Sequence, residues 1–301
     1  MLDMTVRIGA LALKNPVILA SGTAGSADEL APLVKLDRLG AVVAKTVTKN
    51  PREGNPPPRT VETASGLVNA IGLANEGIDA FIAEKLPKLA AAGATIIMSV
   101  AGFGDDEWPE LAAKSDSAAA VSAIELNLSC PNLGEEKLCA QDAARVAAVV
   151  AKARAAAKKP LIAKLTPNVT DIAEIAKAAE GAGADAITVA NTLQALAVDW
   201  RGKRSLLGAP QGGLSGPAVK PHILYLVRRA ASAVKIPVIA SGGIMTAEDA
   251  CEYFCVGAAA VQVGTATFVD PAAAIKILAG IESLLSSIGV AKLSDYIGAY
   301  K

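Results

Sequence analysis

The sequence predicts a (β/α)8 TIM barrel from three observations. Eight short β-branched apolar runs recur along 301 residues, helical patterns separate most of them, and the runs end in polar residues. Ahead of the barrel, "TVRIGALALK" (5–14) reads as a β-hairpin with a Gly-led two-residue turn. The runs are "PVILAS" (16–21), "AVVAKTV" (41–47), "ATIIMSV" (94–100), "AIELNLS" (123–129), "PLIAKLT" (160–166), "AITVANT" (186–192), "PVIASGG" (237–243) and "AVQVGTA" (260–266). Their nearly continuous apolar character fits a parallel sheet covered on both faces. Helical spacing appears at 78–92, 143–157, 171–182, 246–256 and 271–286. Ser26 and Glu29 have capping-box spacing, Asp270-Pro271 reads as an N-cap followed by Pro at the first helical position, and His222 reads as a helix-start residue after Pro221. Two connections, about 49–77 and 193–217, are too long for ordinary βα loops. Both follow strands, which places long active-site loops at the C-terminal face of the barrel. No repeat or linker interrupts the chain, so residues 1–301 read as a single barrel domain.

Composition narrows the function classes. Formal net charge is zero, from 29 basic and 29 acidic residues, with no basic run to track a phosphate backbone, so nucleic acid is a poor partner. Aromatics make up 3%, too few for base-stacking platforms. Uncharged stretches such as 253–269 stop short of a membrane span, and the N-terminal "MLDMTVRIG" lacks the pattern of a signal peptide. Four cysteines without paired spacing argue for a reducing cytoplasm. His222 is the single histidine, so a multi-histidine metal site is excluded and no metal is expected.

The strand ends aim polar groups into one mouth. They are Ser21-Gly22, Lys45-Thr46, Ser99, Asn127 with Cys130, Lys164, Asn191-Thr192, Gly242-Gly243 and Gly264-Thr265. Lysines in buried strands need partners, and a large anionic or carbonyl-rich ligand would satisfy Lys45 and Lys164. "SGGIMTAED" (241–249) and "VGTAT" (263–267) follow the last two strands, where barrels commonly bind phosphate through backbone N–H groups and a helix N-terminus. No G-x-G-x-x-G follows a strand, so a mononucleotide-like phosphate ester such as flavin mononucleotide (FMN) fits better than a dinucleotide. On the residues alone, Cys130 is open to four readings: nucleophile, proton acceptor, metal ligand or packing residue. Cys251 and Cys255, at i and i+4, read as core.

Taken together, "ELNLSCPN" (125–132), "LVNAIGL" (67–73), "ANT" (190–192), "GGLSGPAVKP" (212–221) and "ASGGI" (240–244) closely resemble class 1 dihydroorotate dehydrogenase. "PPPRTVETASGLVNAIGL" (56–73) is similar to the loop of the NAD-linked subclass, and the match runs from about Ile18 to Thr267. The resemblance implies an FMN enzyme of pyrimidine synthesis that converts dihydroorotate to orotate. Cys130 would be the general base at C5 while hydride leaves C6. The substrate would be held by Lys45, Asn69, Ala70, Ile71, Gly72, Leu73, Asn127, Asn132, Asn191 and Thr192. Contacts to FMN would come from Ser21, Lys45, Thr46, Ser99, Asn127 and Lys164, and from Ala190, Gly216, Gly242, Gly243, Gly264 and Thr265. Ser99 stands where the family favours Asn, and "LGEEKLCAQD" (133–142) departs from the family's loop.

The chain has no dinucleotide motif and too few clustered cysteines for an iron–sulfur centre, so on the NAD-linked reading the electrons must leave through another chain. The NAD-linked resemblance implies a partner subunit carrying FAD and a [2Fe–2S] cluster, in a heterotetramer built on a homodimer of this chain. Three readings stand beside it: a fumarate-linked dihydroorotate dehydrogenase without a partner, a dihydropyrimidine dehydrogenase-like flavin subunit, and a non-catalytic barrel that binds a phosphorylated ligand.

Overall fold

Parallel pairing joins the eight apolar runs into a closed barrel, each run hydrogen-bonded to the next in chain order and the last to the first. The computed structural model describes residues 2–25, 29–129 and 139–301. It opens with a hairpin, β1 (Val6–Ile8) and β2 (Leu11–Leu13), in which Ile8 pairs with Leu11 across Gly9-Ala10. Gly9 takes φ +55°, the left-handed region where glycine carries no Cβ penalty, and a Cβ there would strike Asp185 at 2.8 Å. Asp185 immediately precedes a barrel strand, so the hairpin turn seats at the N-terminal end of the barrel.

The barrel starts with β3 (Val17–Leu19) and β4 (Ala41–Val43). Two short strands follow outside it, β5 (Thr60–Thr63) and β6 (Gly66–Asn69). Barrel strands β7 (Ile96–Val100), β8 (Val121–Asn127), β9 (Leu161–Lys164) and β10 (Ala186–Val189) continue the wall. A second excursion carries β11 (Leu193–Ala195), β12 (Val198–Asp199), β13 (Arg204–Ser205) and β14 (Gly212–Ser215). Finally β15 (Val238–Ser241) and β16 (Ala260–Val263) complete the ring. Every residue of β3, β4, β7, β9, β10 and β16 is buried, as expected for strands with helices outside and side chains filling the interior.

The helices are α1 (Ile78–Ala80), which passes through a π turn (Phe81–Lys85) into α2 (Leu86–Ala91), then α3 (Glu107–Ser117), α4 (Ala143–Ala156) and α5 (Ile172–Gly181). After them come α6 (Lys220–Ala231), α7 (Ala247–Cys255), α8 (Ala266–Val269) and α9 (Ala273–Ser287). His222 lies in the first turn of α6, as the Pro221 signal predicts. Among the described residues no helix is long and apolar enough to cross a membrane.

Four expectations are revised. Helix α3 was not anticipated, because its first turn is Glu107-Trp108-Pro109 and its apolar face is thin. The last helix starts at Ala273 rather than Pro271. Asp270 instead caps the turn before it, its side chain accepting from the Ala272 N–H at 2.9 Å. The two long connections are not structureless. Strands β5, β6, β14 and β11 pair antiparallel into a four-stranded sheet that brings the two excursions together. Last, most barrel ladders stop two or three residues early, so that Ser21, Lys45, Thr46, Asn191 and Gly264 lie past the regular ladders, although Val47 still bridges Val100 and the Asn191 N–H donates to the Leu165 carbonyl. Ser26, the first residue of the anticipated capping box, lies outside the described residues.

Candidate active site

A cavity of about 590 Å³ opens at the C-terminal ends of the barrel strands, within the range of small-molecule and cofactor sites. Its floor and near wall come from strand ends: Ser21, Lys45, Thr46, Asn127, Lys164 and Ala190. Asn191, Thr192, Gly242, Gly243, Gly264 and Thr265 continue the ring. The far wall is the four-stranded mouth sheet with the segment that follows it, which supplies Asn69, Ala70, Ile71, Gly72 and Leu73.

Hydroxyl and amide side chains knit the mouth. Ser21 Oγ meets Thr46 Oγ1 at 3.1 Å and accepts from the Thr46 N–H. Asn127 Nδ2 donates to Thr46 Oγ1 at 3.3 Å, and Asn191 Nδ2 donates to Asn127 Oδ1 at 3.1 Å. The Thr192 N–H closes the series on Asn191 Oδ1 at 2.8 Å. On the opposite wall Asn69 Nδ2 donates to the Gly213 carbonyl at 3.1 Å, so the two excursions share a side-chain bond beside the cavity. Such amides present paired donors and acceptors, suited to a ring with alternating N–H and C=O groups. Lys45 and Arg52 are cations that line this end. Burial pushes the Lys45 ammonium below the ordinary lysine range, an effect Glu76 opposes and Arg59 adds to.

The floor holds a network that the sequence reading missed. Glu125 is fully buried in β8, and its Oε2 accepts from Gln262 Nε2 at 2.6 Å and from Thr188 Oγ1 at 2.9 Å. Gln262 Oε1 in turn accepts from Lys164 Nζ at 3.3 Å. The visible signals were a carboxylate inside "AIELNLS" and an amide inside "AVQVGTA", each breaking an otherwise apolar strand.

At the other end, Gly242-Gly243 turns on a scaffold of its own. Tyr253 is fully buried and its hydroxyl donates to the Gly242 carbonyl at 2.6 Å. The N-terminus of α7 is closed by a capping box, with Thr246 accepting from the Asp249 N–H while the Asp249 carboxylate takes the Met245 and Thr246 N–H groups. An anion at this end would therefore meet the glycine backbone and Thr265 at the start of α8 more readily than the N-terminus of α7. Thr265 Oγ1 donates to Ser215 Oγ at 2.8 Å, tying the last strand's loop to the mouth sheet.

The cavity fits a flavin phosphate ester on one direct observation. A Cβ added to Gly264 would meet no protein atom nearer than 3.5 Å, and its φ lies outside the left-handed region. Neither backbone conformation nor packing accounts for a glycine there, whereas close approach of a bound group would. Gly22 also has space around it, with only Lys45 Nζ at 3.9 Å, but its φ of +88° already accounts for a glycine there.

Two anticipated contacts stand back from the wall. Ser99 is fully buried behind Thr46, whose Oγ1 it meets at 2.9 Å, and does not line the cavity. Gly216 does not line it either. It packs backbone to backbone on the mouth sheet, where a Cβ would lie 2.7 Å from Gly66 Cα. Cys130 and Asn132 lie outside the described residues. The remaining cysteines sit away from the cavity: Cys139 is buried, and Cys251 and Cys255 are half-buried on α7. Burial pushes the Cys251 thiol up to about 11, far from a value useful for proton transfer at neutral pH.

Comparison with known proteins gives one answer. The family model described as dihydroorotate dehydrogenase matches residues 3–285. The chain is 51% identical over 297 residues to the dihydroorotate dehydrogenase B (NAD(+)) catalytic subunit of Trichlorobacter lovleyi, covering 98% of each chain. It is 48% identical over 295 residues to the protein of the same name from Desulforudis audaxviator, covering 98% of this chain and 96% of that one. The catalytic subunit of Bacteroides thetaiotaomicron is 45% identical over 300 residues, covering 99% of both.

Proposed function

This chain belongs to the dihydroorotate dehydrogenase family, and we propose that it is the catalytic subunit of an NAD-linked dihydroorotate dehydrogenase, oxidising (S)-dihydroorotate to orotate in pyrimidine synthesis. The observation that carries this reading is the cavity itself. One end is ringed by amides with Lys45, the other by the glycine backbone of Gly242, Gly243 and the open Gly264, and Lys164 lies at the floor between β8 and β10.

FMN, held by Ser21, Thr46, Lys164, Ala190 and the backbone of Gly242, Gly243 and Gly264, would supply the two-electron acceptor for the hydride leaving C6. The chain's own residues do the rest. Asn69, Asn127, Asn191 and Thr192 grip the ring's N–H and C=O groups, with Asn132 completing the set. Lys45 answers the substrate carboxylate with the opposite charge. Cys130 takes the C5 proton, which is weakly acidic because a carbonyl lies next to it. A thiol with an ordinary pKa of about 8.5 is within reach of that task once cations or dipoles favour the thiolate. An analogue lacking the ring's amide groups would leave these side chains unpaired and bind poorly.

Electrons then pass to a separate subunit, for which FAD and a [2Fe–2S] cluster are the expected carriers, in a heterotetramer around a dimer of this chain. The B-type names of the similar proteins support the NAD-linked reading over the fumarate-linked one.

The test uses the purified chain. A yellow protein whose visible spectrum bleaches anaerobically on adding dihydroorotate is the expected result. A flavin spectrum unchanged by dihydroorotate but bleached by dihydrouracil would move the substrate to another ring. A protein that stays colourless with added FMN would end the flavin reading.

A further inference from the structure

We infer that Glu125 is a positioning residue that sets the redox poise of the cavity through Gln262 and Lys164. The inference rests on the flavin reading above.

Glu125 is a carboxylate at zero exposure inside a barrel strand, an arrangement that costs stability unless charge and hydrogen bonds compensate it. Its two oxygens are treated unequally. Oε2 receives Gln262 Nε2 and Thr188 Oγ1, whereas Oε1 has no hydrogen-bond partner and stands 3.9 Å from Lys164 Nζ. An ionised carboxylate can only accept, so Gln262 must turn its NH₂ toward Glu125. That leaves its carbonyl facing Lys164, which donates to it at 3.3 Å. The amide thus bridges Lys164 to one carboxylate oxygen, while the other oxygen stands in a long ion pair with the ammonium.

The spacing has an electrostatic consequence. Lys164 and Gln262 line the cavity, while Glu125 lies behind them. The cavity therefore faces a cation whose counter-charge stands behind it, away from the lining. A cofactor that gains negative charge on reduction is helped by the ammonium and opposed, less strongly, by the more distant carboxylate. Glu125 acts twice: its charge moderates Lys164, and its grip on Gln262 holds Lys164 at the wall.

A purely structural buried pair and this device make different predictions. Glu125→Gln removes the counter-charge, leaving Lys164 unmoderated. Gln262→Met removes the bridging amide, so Lys164 is free to tighten its long contact with Glu125 and withdraw from the wall. The midpoint potential of the FMN-loaded chain, measured by anaerobic titration against a reference dye, reads both. Glu125→Gln should favour reduction by at least tenfold, an upward shift of about 30 mV for a two-electron couple. Gln262→Met should move the potential down by a comparable amount and weaken FMN binding to the apoprotein, followed by flavin fluorescence.

Unchanged potentials in both variants, or shifts of the same sign, would overturn the inference while leaving the flavin site standing. Should Glu125→Gln fail to fold, Gln262→Met decides alone: a downward shift supports the device, and an unchanged or upward one ends it. A wild-type chain that takes up no FMN would overturn both readings at once.

Discussion

The barrel wall and the mouth sheet face one cavity but are held by different means. Six barrel strands are buried along their whole length, whereas Val68 is the one buried residue in β5, β6, β11 and β14. The barrel rests on a continuous apolar core. The mouth sheet has a small cluster of its own, Val68, Ala70 and Leu207, with Leu193 and Leu214 half-buried against the barrel core, and is joined further by backbone pairing and the Asn69–Gly213 and Thr265–Ser215 bonds. The difference teaches a division of labour: the wall fixes the stability of the molecule, and the sheet tunes what the cavity holds.

The largest expected effect tests the wall. Ile187 is fully buried in β10, and Ile187→Ala should cost about 2–5 kcal/mol in chemical unfolding. A cost near that of a surface change would break the comparison. Next comes the sheet. A Cβ on Gly66 would run into the Ser215 carbonyl, so Gly66→Ala must displace β6 or β14. Dihydroorotate binding should weaken by as much as about 100-fold, the scale of a small misplacement, while the unfolding midpoint barely moves. An equal loss of stability would mean that sheet and wall form one cooperative unit.

Gly264→Ala sharpens the comparison on the wall's own rim. Because its Cβ would touch no protein atom within 3.5 Å, stability should stay within about 0.5 kcal/mol, yet FMN should dissociate about tenfold faster. Unaltered FMN release would remove the physical reason for that glycine.

The smallest effect is a pH arm. Burial lowers the Lys45 pKa from 10.5, so its positive charge is lost earlier on the alkaline side than that of a free lysine. Dihydroorotate affinity should fall through that window. The unfolded chain holds the proton longer there, so the Lys45 contribution to folding stability rises over the same pH range. Lys45→Met should erase the affinity arm, and an arm persisting in that variant would assign it elsewhere.

The sequence displayed the wall and concealed the sheet for the same physical reason. Eight β-branched runs are legible because parallel strands buried on both faces need nearly continuous apolar residues. "GLVN" and "GGLS" have no such pattern, and their pairing depends on a partner in a distant excursion. The polar mouth was legible as strand ends, with Lys45, Asn127, Lys164 and Gly264 all lining the cavity. Ser99 was not, since nothing in "MSV" says that Thr46 stands in front of it. Glu125 passed as one letter in an apolar run, although a lone carboxylate there demands a buried partner.

The bond between Asn69 and Gly213 joins residues 144 positions apart. Contacts of such span carry a loop-closure cost until the intervening barrel strands have been drawn together. Closing the barrel itself joins still more distant segments, Val17 with Val261, so wall and mouth sheet are both long-range closures of the same chain. A ligand that touches both excursions adds a further link between them, so its binding free energy stabilises the closed mouth.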